Sequence, residues 1–109
     1  MKVLVFAGLV GLAGASSGAV PWTPVGLAGG GGMFVPAISP LDANHLMVNC
    51  DMSDAFISRD GGENWTMIHH RQLRGNTRCR PIFHPRDPDT IFAAGDWGGG
   101  LKVSRDGGT

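Results

Sequence analysis

Tyrosine is absent, only 7% of the residues are aromatic, and the cysteines number two, Cys50 and Cys79. Nine basic residues balance nine acidic ones, so nothing in the charge calls for a nucleic acid or an anionic membrane as partner. No apolar run reaches the roughly 20 residues that a spanning helix needs, and no stable membrane span is expected. Ligand-spaced clusters of cysteine, histidine and carboxylate are also missing, which leaves no metal and no cofactor to predict. Helix-favouring runs are few after residue 20. What the chain has in quantity is glycine, 18 residues, together with 7 prolines, a composition of short strands punctuated by turns. The expected fold class is all-β.

The first nineteen residues differ from the rest. Lys2 precedes an uncharged run of apolar and small residues from Val3 to Ala15, and Ser17 and Ala19 occupy the small-residue positions that a signal peptidase reads before Val20. This is the pattern of a secretory signal peptide covering residues 1–19, which implies a secreted or periplasmic protein with the mature domain at 20–109. In such a compartment a bond between Cys50 and Cys79 can persist and would close a loop of about 30 residues, stabilising by roughly 3 kcal/mol. Cys50 also ends an apolar run and reads equally as a small buried hydrophobe.

An internal repeat organises the mature chain. Pro40-Leu41-Asp42 returns as Pro85-Arg86-Asp87, Leu46-Met47-Val48 corresponds to Ile91-Phe92-Ala93, and Asp51 corresponds to Asp96. Ser58-Arg59-Asp60-Gly61-Gly62 returns as Ser104-Arg105-Asp106-Gly107-Gly108. The offset grows from 45 to 46 between the first and last of these blocks, which places one extra residue in the second copy, within Gly98-Gly99-Gly100. Short apolar segments at Met33–Ile38, His45–Asn49, Ala55–Ser58 and Trp65–Ile68 read as four strands. A period near 45 residues with about four strands is the size of one propeller blade, a small sheet that must stack on neighbours to cover its faces. The expected architecture is a β-propeller fragment of about two four-stranded blades, with units at about 33–78 and 79–109. Two blades cannot close a ring. The second unit stops two residues before the place where its matching Trp would stand, so C-terminal blades are expected to be missing.

Ser58-Arg59-Asp60-Gly61-Gly62-Glu63-Asn64-Trp65 resembles the Asp-box pattern of sialidase-like, sortilin-like and other propellers. The spacing suits a hairpin turn in which the Asp carboxylate accepts backbone N–H groups, Gly takes positive φ and Trp packs beneath. Ser58, Asp60, Gly62, Trp65, Ser104, Asp106 and Gly108 are therefore read as structural turn residues. A sialidase is not supported, because no Phe-Arg-Ile-Pro-like segment precedes the first box.

From Trp22 to Trp65 the order of motifs is similar to the opening of family 74 glycoside hydrolases, the xyloglucan-degrading propellers. Trp22-Thr23-Pro24-Val25-Gly26, the glycines from Gly29 to Gly32, Met33-Phe34-Val35-Pro36 and Asp51 to Phe56 carry the likeness. It implies that Asp51 is the general base, with a general acid in a later blade. Ser53-Asp54 stands where that family has two small glycines. Read without the resemblance, Asp51 is a turn residue between two strands, and the matching Asp96 favours an architectural role.

Trp97, beside Gly98-Gly99-Gly100, is a candidate face for a sugar ring, or equally a packing residue. Arg71, Arg74, Arg78 and Arg80 fall in a long polar segment without interleaved aromatics and read as a solvated connection. His69 and His70 would point to opposite faces of a strand and so cannot share a metal, and His45 and His84 read as structural. The sequence thus points to an exported carbohydrate-active propeller, in the first instance a glycoside hydrolase on a β-glucan such as xyloglucan. A non-catalytic propeller that binds protein or glycan is the alternative. The 109 residues alone are expected to be inactive, because an inverting glycosidase needs two carboxyl groups.

Overall fold

A computed structural model describes residues 18, 21–27, 31–96 and 98–109. Apart from Gly18 the leader lies outside the described residues, as do Val20, Gly29, Gly30 and Trp97. Every regular element among the described residues is a β-strand: β1 (Met33–Ile38), β2 (Leu46–Cys50), β3 (Ala55–Ser58), β4 (Thr66–Ile68), β5 (Ile82–Phe83), β6 (Ile91–Ala94) and β7 (Leu101–Ser104). No described helix is long and apolar enough to cross a membrane. The strands form two antiparallel sheets, one in the order β1-β2-β3-β4 and one in the order β5-β6-β7. Both are up-and-down meanders, the arrangement that short connections between consecutive strands favour.

Strand limits differ from the sequence expectation by one residue at three places, the end of β2 extending to Cys50, whose N–H bonds the Asp54 carbonyl. His45 precedes β2, because its N–H bonds the carbonyl of Asp42 in a turn rather than a neighbouring strand. Trp65 precedes β4, and its indole N–H bonds carbonyls at Val25 and Gly62. Between Phe34 and Ala37 the β1/β2 register shifts, with Val35 and Pro36 opposite Val48. A proline has no N–H for the ladder, so a bulge on an edge strand is where a sheet can hold it. Val35 takes φ 45° there, a conformation a β-branched residue rarely adopts.

Registers assign each side chain to a face. In the first sheet Ala37, Met47, Ile57 and Thr66 are cross-strand neighbours, as are Asn49, Ala55 and Ile68. In the second, Phe83, Ile91 and Ser104 share a row, with Ala93 beside them. These two faces meet. Ala37, Met47, Ala55, Ile57, Ile68, Phe83, Ile91 and Ala93 form one buried cluster, completed by Leu73 from the β4–β5 connection.

Polar contacts fix the two sheets at one end of the stack. The carbonyl of Gly107 lies 3.1 Å from His45 Nε2 and accepts from the Arg59 guanidinium at 2.8 Å. A carbonyl can only accept, so Nε2 carries the ring proton. Gly108 follows at φ 85°, and a Cβ there would sit 2.5 Å from Ile57 Cδ1. Only glycine lets this turn lie against the first sheet.

Burial, then the nearby Arg59 charge, holds His45 below the ordinary histidine value. The unfolded chain therefore takes up this proton first as pH falls. The His45 contribution is complete above about pH 6.5 and is lost as pH drops through the folded value. Melting temperature should fall between pH 7.5 and pH 5, and His45→Gln, which keeps a donor for Gly107 but cannot titrate, should flatten that slope. Equal slopes in the two proteins would refute the assignment.

Candidate functional site

Alternation of strand direction divides the connections between two ends. Residues that lead into β1, those between β2 and β3, between β4 and β5, and between β6 and β7 all fall at one end. The turns after β3 and β7 fall at the other. The sequence expectations for Asp51 and for the Ser/Asp turns thus concern opposite ends of the molecule.

The turn end is built twice from the same bonds. Ser58 Oγ donates to Asp60 Oδ1 at 2.8 Å and accepts the N–H of Gly62 at 2.9 Å. Ser104 Oγ likewise donates to Asp106 at 2.6 Å and accepts from Gly108 at 2.7 Å. Asp60 also accepts the backbone and side-chain N–H groups of Asn64, at 2.9 and 2.7 Å. These donors from Asn64, then the Ser58 hydroxyl, lower the Asp60 carboxyl to about 2. Asp106 is lowered as well, first by Ser104. Trp65 is half-buried, and its indole N–H ties Val25 to the turn at 2.8 Å. Each of these side chains bonds its own turn or an adjoining segment.

At the other end, Asp51 Oδ1 accepts the N–H of Gly32 at 2.8 Å, and the N–H of Asp51 returns to the Gly32 carbonyl at 3.3 Å. This pair of bonds aims the carboxylate across the start of β1. Asp51 is exposed, and it borders an open cleft of about 280 Å³ with Met52, Ser53, Asp54, His70, Arg74, Gly75 and Asp96. The repeat-related residues Asp51 and Asp96 therefore face one cleft. Asp96 is placed by its N–H, which bonds the Arg74 carbonyl at 3.3 Å. The β4–β5 connection closes the wall, with Gly75 so near the Asp54 carbonyl that a Cβ would collide with it. Any side chain at 75 would push this wall outward.

The cleft combines three carboxyl groups with the imidazole of His70 and the guanidinium of Arg74. Such a set can accept hydrogen bonds from hydroxyls, donate to them, and polarise a water molecule. Ser53, Asp54, His70 and Arg74 were not singled out from the sequence as parts of one site. The signal available was topological: the connections after β2, β4 and β6 must share an end. His69 and His70 are not on a strand, since β4 ends at Ile68, and their rings stack with centroids 4.3 Å apart. Among the described residues no group of three or more His, Cys, Asp or Glu could hold a metal ion.

Cys50 and Cys79 are both free, the first buried and the second exposed. Burial pushes the Cys50 thiol up, but bonds to Ser53 and the Met52 backbone outweigh it and leave a net lowering. The Cys50 Sγ lies 3.9 Å from Asp51 Oδ1, behind the cleft wall.

Ser58 and Asp51 can be told apart experimentally. Ser58 is 2% exposed, and its loss leaves the Gly62 N–H without its acceptor, at a cost of about 1–2 kcal/mol. Ser58→Ala should lower the denaturation midpoint accordingly, whereas Asp51→Ala should leave it nearly unchanged. A destabilised Asp51→Ala protein would make Asp51 a turn residue only. No protein-family model matches the chain, and no curated protein matches it at a significant level.

Proposed function

We propose that this chain is part of an exported, carbohydrate-active β-propeller, in which each sheet is a blade and the Ser58 and Ser104 turns are Asp boxes. The activity proposed is hydrolysis of a β-glucan such as xyloglucan, with Asp51 as general base. One observation carries the reading: the carboxylate at the position of the base in family 74 hydrolases is exposed and borders an open cleft. The Gly32 bond fixes its direction.

An inverting glycosidase activates water with one carboxylate and protonates the leaving oxygen with a carboxylic acid about 6.5–9.5 Å away. In this reading Asp51 takes the proton of the attacking water, and Arg74 and His70 offer donors to sugar hydroxyls. The acid belongs to a further blade of the closed ring, as the resemblance implies. Sugar rings bind by stacking and by hydroxyl hydrogen bonds, and Trp97 remains the candidate stacking face.

A second reading has support of its own. The Gly32 bond and the repetition of Asp51 as Asp96 suit carboxylates that shape the loop end of each blade. The protein is then a binding propeller for a glycan or a protein.

Two outcomes are expected of the protein when it is produced in an exporting host. Mass spectrometry should find the mature chain starting at Val20, and a start at Met1 would remove the export reading. In the closed propeller, Asp51→Ala should abolish release of reducing ends from xyloglucan, by about 10²-fold or more for loss of a general base, while the folded spectrum persists. Unchanged release would refute the catalytic role, and retained glycan binding without any hydrolysis by the parent protein would establish the binding reading.

A further inference from the structure

A strand in an apolar core has little use for an amide side chain, yet Asn49 stands near the end of β2 at 1% exposure, in a row with Ala55 and Ile68. Its Nδ2 donates to the carbonyls of Asn76 at 2.7 Å and Cys79 at 3.4 Å, both in the β4–β5 connection. Carbonyls can only accept, which fixes the orientation of the amide. Its Oδ1 is buried and meets no donor among the described residues. An orphaned acceptor in a core costs free energy, so stability alone does not account for an asparagine here.

Ala94 occupies the matching place in the second copy of the repeat, and β6 forms without an amide there. Other buried polar side chains serve their own turns or the sheet junction. Ser39 and Ser58 accept N–H groups within their turns, Thr90 donates to Asp87, and His45 donates to Gly107. Asn49 instead joins β2 to the connection that carries His70, Arg74 and Gly75 into the cleft. That connection is shaped to receive it: Asn76 Oδ1 accepts the N–H groups of Arg78 and Cys79 at 2.8 and 2.9 Å, in a turn that offers both carbonyls to one donor. Just before this turn, Gly75 lies against Asp54, and the Arg74 carbonyl accepts the Asp96 N–H at 3.3 Å. Two residues beyond Asn49 the chain reaches Asp51.

We propose that Asn49 is a positioning residue of the Asp51 cleft: its amide ties the wall that carries Arg74 and Asp96 to the strand that leads into Asp51, and so sets the width of the cleft. Its functional consequence rests on the cleft being the ligand site of the proposed hydrolase or binding propeller. Asn49 is buried and touches no ligand itself. Walls that are tied together beforehand lose less freedom when a ligand orders them. The effect of the tie therefore falls on ligand affinity.

The test compares the full chain with Asn49→Ala, a change the repeat accommodates at Ala94. Backbone amide exchange at Asp96, whose N–H bonds the Arg74 carbonyl, should quicken about tenfold as the wall loosens. The Gly62 and Gly108 amides, held by Ser58 and Ser104, should exchange as in the parent. The dissociation constant for xyloglucan oligosaccharides should rise about tenfold with the melting midpoint close to that of the parent. Asn76→Ala, at a half-buried position, should reproduce both changes, and the double variant should add nothing to either. It also carries the test if Asn49→Ala fails to fold. Unchanged Asp96 exchange, exchange quickened throughout both sheets, or additive losses in the double variant overturns the proposal. A parent that binds no oligosaccharide refutes the glycan reading instead, and Asp96 exchange then decides the tie by itself.

Discussion

A β-sheet has two faces, and alternation of side chains along each strand gives both of them a residue set. In this chain the constraint is acute, because both sets in the first sheet are largely apolar. One face is covered by the neighbouring sheet, and the core cluster forms there. The contacts that hold that junction in register are polar and lie at its end, where Gly107 receives His45 and Arg59. If the turn that presents Gly107 were displaced, the fit of Gly108 against Ile57 would go with it. The Ser104 and Asp106 bonds therefore act on the core at a distance, by fixing where one carbonyl stands.

The same geometry places the Ser/Asp turns and the Asp51 cleft at opposite ends of the sheets. Glycine, serine and aspartate are used at both ends of the sheets, but for different purposes. At the turn end the carboxylates are consumed by local donors, and Asp60 is lowered to about 2 by them. At the cleft end Asp51 takes one backbone donor and keeps an exposed carboxylate. An aspartate engaged by several fixed donors is well placed to hold a turn. One engaged by a single backbone donor at the rim of a cleft can still meet a ligand.

Much of this was legible in the sequence, and the reasons are specific. The limits of β1 and β3 followed from apolar runs bounded by Gly, Pro, Asn and Asp, and the repeat fixed the correspondence of Leu46 with Ile91 and Ala55 with Leu101. The all-β class followed from the same signals. The bulge at Val35 and Pro36 was not legible, since Phe-Val-Pro within an apolar run reads as continuous strand. Nor was the donation to Gly107, which joins residues far apart in sequence through a backbone carbonyl. For the cleft, Asp51 stood out by position, but His70 and Arg74 were indistinguishable from a solvated loop. Their placement depends on Leu73, which enters the core and draws the β4–β5 connection against Asp54 and Asp96.

Ligand recognition is proposed for the Asp51 end of the sheets, and an architectural role for the turn end. Amide chemical-shift mapping during titration with xyloglucan oligosaccharides tests it most directly. Shifts confined to Gly32, Asp51 to Asp54, Gly75 and Asp96, with Ser58 to Asn64 and Ser104 to Gly108 unmoved, are the predicted result. Perturbations concentrated in the two Ser/Asp turns, or none at saturating oligosaccharide, would contradict it.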